Sequence, residues 1–150
     1  GWGPGVYRLQ PFFTTSDSEN GGGVGVNFQQ QLGRHSHLGW FFRGGWASDD
    51  AATLTGVRCA ATTGLVLLSP FYGKGASNDG YLGLGFLWQQ GARKNGPYVN
   101  KNEYGIELTY VMQVTPTMTL QPDIQLVKNP VNGRRGQTAV VFQIQNVWSW

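Results

Sequence analysis

Charge is scarce in this sequence, with Asp, Glu, Lys and Arg together making up 13% of its 150 residues. A soluble domain ordinarily carries about a quarter, so the usual solvated surface is missing. Cysteine is scarcer still: Cys59 stands alone, which excludes an internal disulfide and leaves a small packed side chain as its natural reading. Long apolar runs are also absent. The longest aliphatic cluster, Leu65 to Leu68, falls far short of the roughly eighteen residues of a membrane-spanning helix. This excludes helical spans but not strands, since a barrel strand needs only about ten residues and turns every second one to lipid. The net charge of +3 raises nucleic acid as a partner, but Lys and Arg are scattered singly apart from Arg93-Lys94 and Arg134-Arg135. No basic stripe or stacking motif accompanies them, so no nucleic-acid partner is expected.

What is present is glycine, 23 residues of it, and aromatics at 13%, a composition of strands and turns rather than helices. From Glu103 onward the side chains alternate. Tyr104, Ile106, Leu108, Tyr110, Met112 and Val114 face Glu103, Glu107, Thr109 and Gln113 across the strand, because strand side chains point to opposite faces with period two. After Thr115-Pro116-Thr117 the pattern resumes, with Met118, Leu120, Ile124 and Leu126 against Thr119, Gln121, Asp123 and Gln125. Beyond Asn129-Pro130-Val131-Asn132-Gly133 it comes again: Val140, Phe142, Ile144, Trp148 and Trp150 share one face, broken by Asn146, against Gln143, Gln145 and Ser149. The polar face holds Gln, Glu, Asp, Thr and Gly rather than a Lys-rich mixture. It reads as the wall of a water-filled lumen, and the apolar face as a surface turned to lipid.

The rest of the chain reads as earlier strands of the same kind. Val6 to Thr14 sets Tyr7, Leu9 and Phe13 against Arg8 and Gln10, with Pro11 costing a ladder bond unless it lies at an edge or bulge. Gly23 to Leu32 sets Val24, Val26 and Phe28 against Asn27, Gln29 and Gln31. Leu38 to Trp46 sets Leu38, Trp40, Phe42 and Trp46 against Arg43, with Phe41 as the exception, and Ser48-Asp49-Asp50 ends it. A fourth strand is expected over Thr53 to Leu68, interrupted at Thr62-Thr63-Gly64, with Arg58 turned to the lumen; a fifth is expected over Tyr81 to Gln89. Connections are expected at residues 16–22, 33–37, 69–79, 91–100, 115–117 and 129–136. With the C-terminus facing the periplasm, 33–37, 69–79 and 115–117 fall inside and the others outside, where longer loops belong.

Other constellations carry little chemistry. His35-Ser36-His37 has metal-like spacing but no third donor near it, and it reads as a solvated turn. Glu103 and Glu107 share a face roughly 13 Å apart, too far for the roughly 5–9.5 Å of a glycosidase pair. Asp123 could approach either one, but a wet lumen does not shield a general acid. The glycine clusters at Gly21 to Gly25 and Gly73-Lys74-Gly75 do not match a phosphate loop. No enzyme activity, cofactor or metal is expected.

The segment Tyr104 to Pro130 resembles the C-terminal region of the carbohydrate-selective porins of the OprB family. The resemblance lies in Gln113 to Pro116 at a turn, Leu120 to Gln125 as Leu-Gln-Pro-Asp-hydrophobic-Gln, and Asn129-Pro130. Asn78 to Phe86, with its Asp79-Gly80 and spaced glycines, is similar to a further strand start of that family. The resemblance implies an all-β fold: a transmembrane antiparallel β-barrel in the outer membrane of a Gram-negative bacterium, with about eight C-terminal strands here out of roughly sixteen. Residues 1–150 would be the C-terminal part of one porin domain, lacking an N-terminal part and signal peptide. The implied function is passive, selective diffusion of small sugars, monosaccharides such as glucose. Implied partners are outer-membrane lipid and the barrel-assembly machinery, reached through the aromatic C-terminal strand. Monomer and homotrimer both stay open. Lumen-facing candidates for sugar contact are Arg8, Arg43, Arg58, Glu103, Glu107, Gln113, Gln121, Asp123 and Gln125, which offer fork donors, carboxylates and amides. The alternatives are a general or differently selective porin, a soluble carbohydrate-binding β-sandwich, and a complete eight-stranded barrel filled by its own side chains.

Overall fold

In a computed structural model the described residues are 1–15, 20–34, 36–70, 80–93, 102–130 and 136–148. His35, Ser149 and Trp150 lie outside them, as do most residues of the connections expected at 16–22, 69–79, 91–100 and 129–136. The strands are β1 (Gly5–Thr15), β2 (Asn20–Gln31), β3 (Leu38–Ala47), β4 (Val57–Leu68), β5 (Tyr81–Gly91), β6 (Asn102–Thr115), β7 (Met118–Lys128) and β8 (Thr138–Trp148). They form one eight-stranded sheet in sequence order, each antiparallel to the next. Among the described residues β1 pairs only with β2 and β8 only with β7, so the sheet is open. No second sheet stacks on it there, as a sandwich would require.

Residues directly opposite in an antiparallel pair share a face, so the register carries one strand's parity across the whole sheet. Arg8 opposes Asn27, Asn27 opposes Arg43, Arg43 opposes Thr62, Thr62 opposes Leu87, and Leu87 opposes Gly105. Gly85 opposes Glu107 and Glu107 opposes Gln125 on the same face. The other face carries the row Trp40, Leu65, Leu84, Leu108, Ile124 and Phe142. Its large apolar side chains are uncovered, Phe142 and Ile144 remaining 76% and 72% exposed. We call the polar face inward and the apolar face outward.

Three sequence expectations are corrected. The fourth strand does not begin at Thr53, because Asp49–Thr55 forms a short helix, α1, and β4 starts only at Val57. Nor does Thr62-Thr63-Gly64 interrupt it: β4 runs unbroken, with Gly64 giving space to an aromatic ring rather than ending the strand. Asn20 to Gly22, expected in a loop, belongs to β2. Pro11 does lie on β1, an edge strand of the described sheet. Pro122 sits between two neighbours, and its missing N–H matches a gap in the β6–β7 pairing, which passes from Thr109↔Asp123 to Met112↔Leu120.

Candidate functional site: the inward face

The inward face is built on glycine. Phe41 is the large aromatic that breaks the outward parity of β3, and its ring lies over the strip formed by Gly64 and Gly85. A Cβ on Gly64 would stand 2.8 Å from Phe41 Cε1, and one on Gly85 would stand 3.8 Å from Cζ. Any larger residue at Gly64 would lift the ring off the wall. Two residues along β3, the Arg43 guanidinium carbon lies 5.7 Å from the centre of the same ring, within cation–π range. Beyond Gly85 comes Glu107, whose carboxylate accepts from Gln125 Nε2 at 3.4 Å. Gln121 Nε2 donates to Thr109 Oγ1 at 3.2 Å. One apolar ring with a cation over it thus shares this face with a carboxylate and amides.

Arg43, Glu107, Gln121 and Gln125, together with Phe41, line one concavity of about 750 Å³. The other sequence candidates lie apart from it. Arg8 is on the edge strand, in the row of Asn27 and Arg43. Glu103 accepts from Gln89 Nε2 at 2.9 Å nearer the end that carries α1. Asp123 accepts from Gln125 at 3.5 Å, and Gln113 donates to the Pro116 carbonyl at 3.2 Å, tying the β6–β7 turn. Arg58 is engaged by the helix, with its Nε 3.1 Å from Asp49 Oδ1 in an ion pair that lacks the alignment of a hydrogen bond.

That ion pair belongs to α1, the feature the alternation pattern does not contain. Seven residues are too few for a helix to hold on its own, so the sequence supplies ends and a seat. Ser48 caps the start by accepting from Ala51 N–H, Asp49 and Asp50 occupy the first turn, and Gly56 (φ 76°) ends the helix in the left-handed conformation. Ser48 N–H donates to Gly22 O at 2.8 Å, Gly22 N–H returns to Ser48 Oγ at 3.1 Å, and Ala92 N–H donates to Gly56 O at 3.0 Å. Ala51 and Ala52 are fully buried, and with Ala47 and Ala92 they form the described hydrophobic core. Gly21 has the inward parity of Gly23, which opposes Ala47, and a Cβ there would lie 2.5 Å from Ala51 N. The helix therefore rests on the inward face at that end of the sheet.

Sequence reasoning passed over Phe41 as an anomaly of parity and did not find α1. The signal for the first was the aromatic itself, alternating along β3 with Gly39, Arg43 and Gly45. For the second it was the Ser48-Asp49-Asp50 cap followed by Ala51-Ala52 and closed by Gly56.

An antiparallel meander with one polar, glycine-floored face and one bare apolar face is the wall of a transmembrane β-barrel. A family model described as "Carbohydrate-selective porin, OprB family" matches residues 5–148, and the chain belongs to that family. It is a family of transport channels, and membership implies the outer membrane and a carbohydrate-selective pore. No curated protein and no solved structure matches the chain significantly.

Proposed function

We propose that this chain forms part of the wall of an outer-membrane pore through which small sugars, monosaccharides such as glucose, pass by passive diffusion. The observation that carries the reading is Phe41, whose ring lies against Gly64 on the same wall as Arg43 and the Glu107–Gln125 pair. A pyranose has an apolar C–H face and a rim of hydroxyls; the ring offers contact to the first, and the charged and amide groups exchange hydrogen bonds with the second. Each contact is weak and water-replaceable, as conduction requires, because a solute that binds too well does not leave. No covalent step is assigned to the carboxylates.

The bare outward face supports lipid as surroundings. The two free sheet edges support closure by further strands, about eight more for a sixteen-strand barrel, with residues 1–150 as its C-terminal part. In that orientation the α1 end faces outside the cell and the tight β6–β7 turn faces the periplasm. The apolar outward row of β8, Phe142, Ile144 and Trp148, supports recognition by the barrel-assembly machinery.

The test is liposome swelling by the full-length protein with glucose, a disaccharide, and an amino acid of glucose's size. Faster entry of glucose than of the amino acid is the expected result. Equal entry of all small solutes would reduce the pore to a general one, and no swelling would remove the channel reading.

A further inference from the structure

The outward face carries a groove that a plain lipid-facing wall does not need. Its volume is about 520 Å³, and among its lining residues are Ala61, Thr63, Trp88, Tyr104, Ile106 and Lys128. The register explains its shape. Ala61, Trp88, Tyr104, Lys128 and Thr138 stand opposite one another in a single row across β4 to β8. The small side chain of Ala61 leaves the floor low at one end, while the two aromatics wall the middle. Lys128 stands at the α1 end of β7, with Thr138 beyond it on β8. Thr63 does not offer a loose polar group to the groove: its hydroxyl accepts from Trp40 Nε1 at 3.0 Å and donates to the Phe41 carbonyl at 2.9 Å.

Lys128 is the only charged side chain with outward parity in the described strands, and no carboxylate shares that face. A second copy of the chain, docked by the same face, would bring another Lys128 and nothing acidic to meet it. The apolar side chains beside it want hydrocarbon, while the ammonium wants an anion at the membrane interface. A single molecule that supplies both is an acyl lipid with a phosphate headgroup.

We propose that this groove is a docking site for an anionic, phosphate-bearing lipid, with an acyl chain along Trp88 and Ile106 and the phosphate at Lys128, beside the Thr138 hydroxyl. The proposal rests on the reading that the outward face meets lipid, and it is independent of which solute the pore passes.

The experiment is native mass spectrometry of the full-length protein, released from detergent, after titration with phosphatidic acid or with phosphatidylcholine of the same acyl chains. Wild type should retain phosphatidic acid about fivefold better, from one cation at the headgroup level. Lys128→Gln should abolish that preference, and Ala61→Trp, which fills the floor, should lower retention of both lipids. Excess inorganic phosphate should leave the bound lipid in place. Equal retention of the two lipids by wild type would mean that Lys128 merely reaches water, and would overturn the proposal. So would an unchanged preference in Lys128→Gln, or an assembled oligomer that carries no lipid at all. Glucose swelling by Lys128→Gln should match wild type, so a failure of the sugar reading would show separately in wild-type swelling.

Discussion

At the scale of single residues the inward face depends on side chains that are absent. Phe41 can lie against the wall because Gly64 has no Cβ to hold it away, and Arg43 reaches over its ring there. Phe41→Ala would leave Arg43 and Glu107 in place but remove the apolar surface between them. An aromatic contact of this kind is worth about 1 kcal/mol. We therefore expect Phe41→Ala to lose about fivefold of the preference for glucose over a size-matched amino acid in swelling assays, with the amino acid rate unchanged or faster. A preference that survives intact would show that the sugar does not use the ring. Sequence alternation marked Phe41 as an exception but could not say why. The reason lies in Gly64, on the next strand, and only the register brings it beneath the ring.

At the scale of elements, strands and helix were unequally legible. Each strand advertises itself through many side chains repeating one instruction, so β2, β5 and β6 could be read from period two alone, to within a few residues at their ends. The helix α1 carries no such repetition. It exists because Ser48 and Gly56 cap it, because Gly22 N–H ties Ser48 to β2, and because Gly21 leaves a place for Ala51. These conditions are set by another strand, and the local sequence Thr53 to Thr55 therefore read as the start of β4. The partner of Arg58 was hidden for the same reason: Asp49 belongs to the helix that was not foreseen. Gly21→Val tests the seat, since a side chain there collides with the backbone of Ala51. It should destabilise the folded barrel by about 1–3 kcal/mol and, by displacing α1 from the inward face, raise single-channel conductance of the full-length protein. Unchanged conductance would place the narrowest passage elsewhere.

At the scale of the whole molecule the sheet is an inversion of a soluble protein, with its largest hydrophobic side chains outside and its polar ones around an interior concavity. The inversion sets strict terms for polar atoms on the outside, because hydrocarbon offers no hydrogen bonds. Trp40 meets those terms by donating to Thr63, and Thr63 by donating to a backbone carbonyl. It also makes neighbouring residues of one strand answer to different solvents. Leu108 lies in the central outward row between Leu84 and Ile124, while Thr109 lies inward between Gly83 and Asp123. A lysine at the first would place its ammonium in the bilayer midplane, at a cost of about 2–4 kcal/mol. A lysine at the second would stand in water beside the Asp123 carboxylate and cost little. Urea titration of the full-length protein folded into vesicles should therefore show Leu108→Lys strongly destabilised and Thr109→Lys close to wild type. If the two substitutions cost the same, the faces have been assigned to the wrong solvents. If Thr109→Lys is the more damaging, the sheet is closed around its apolar face after all.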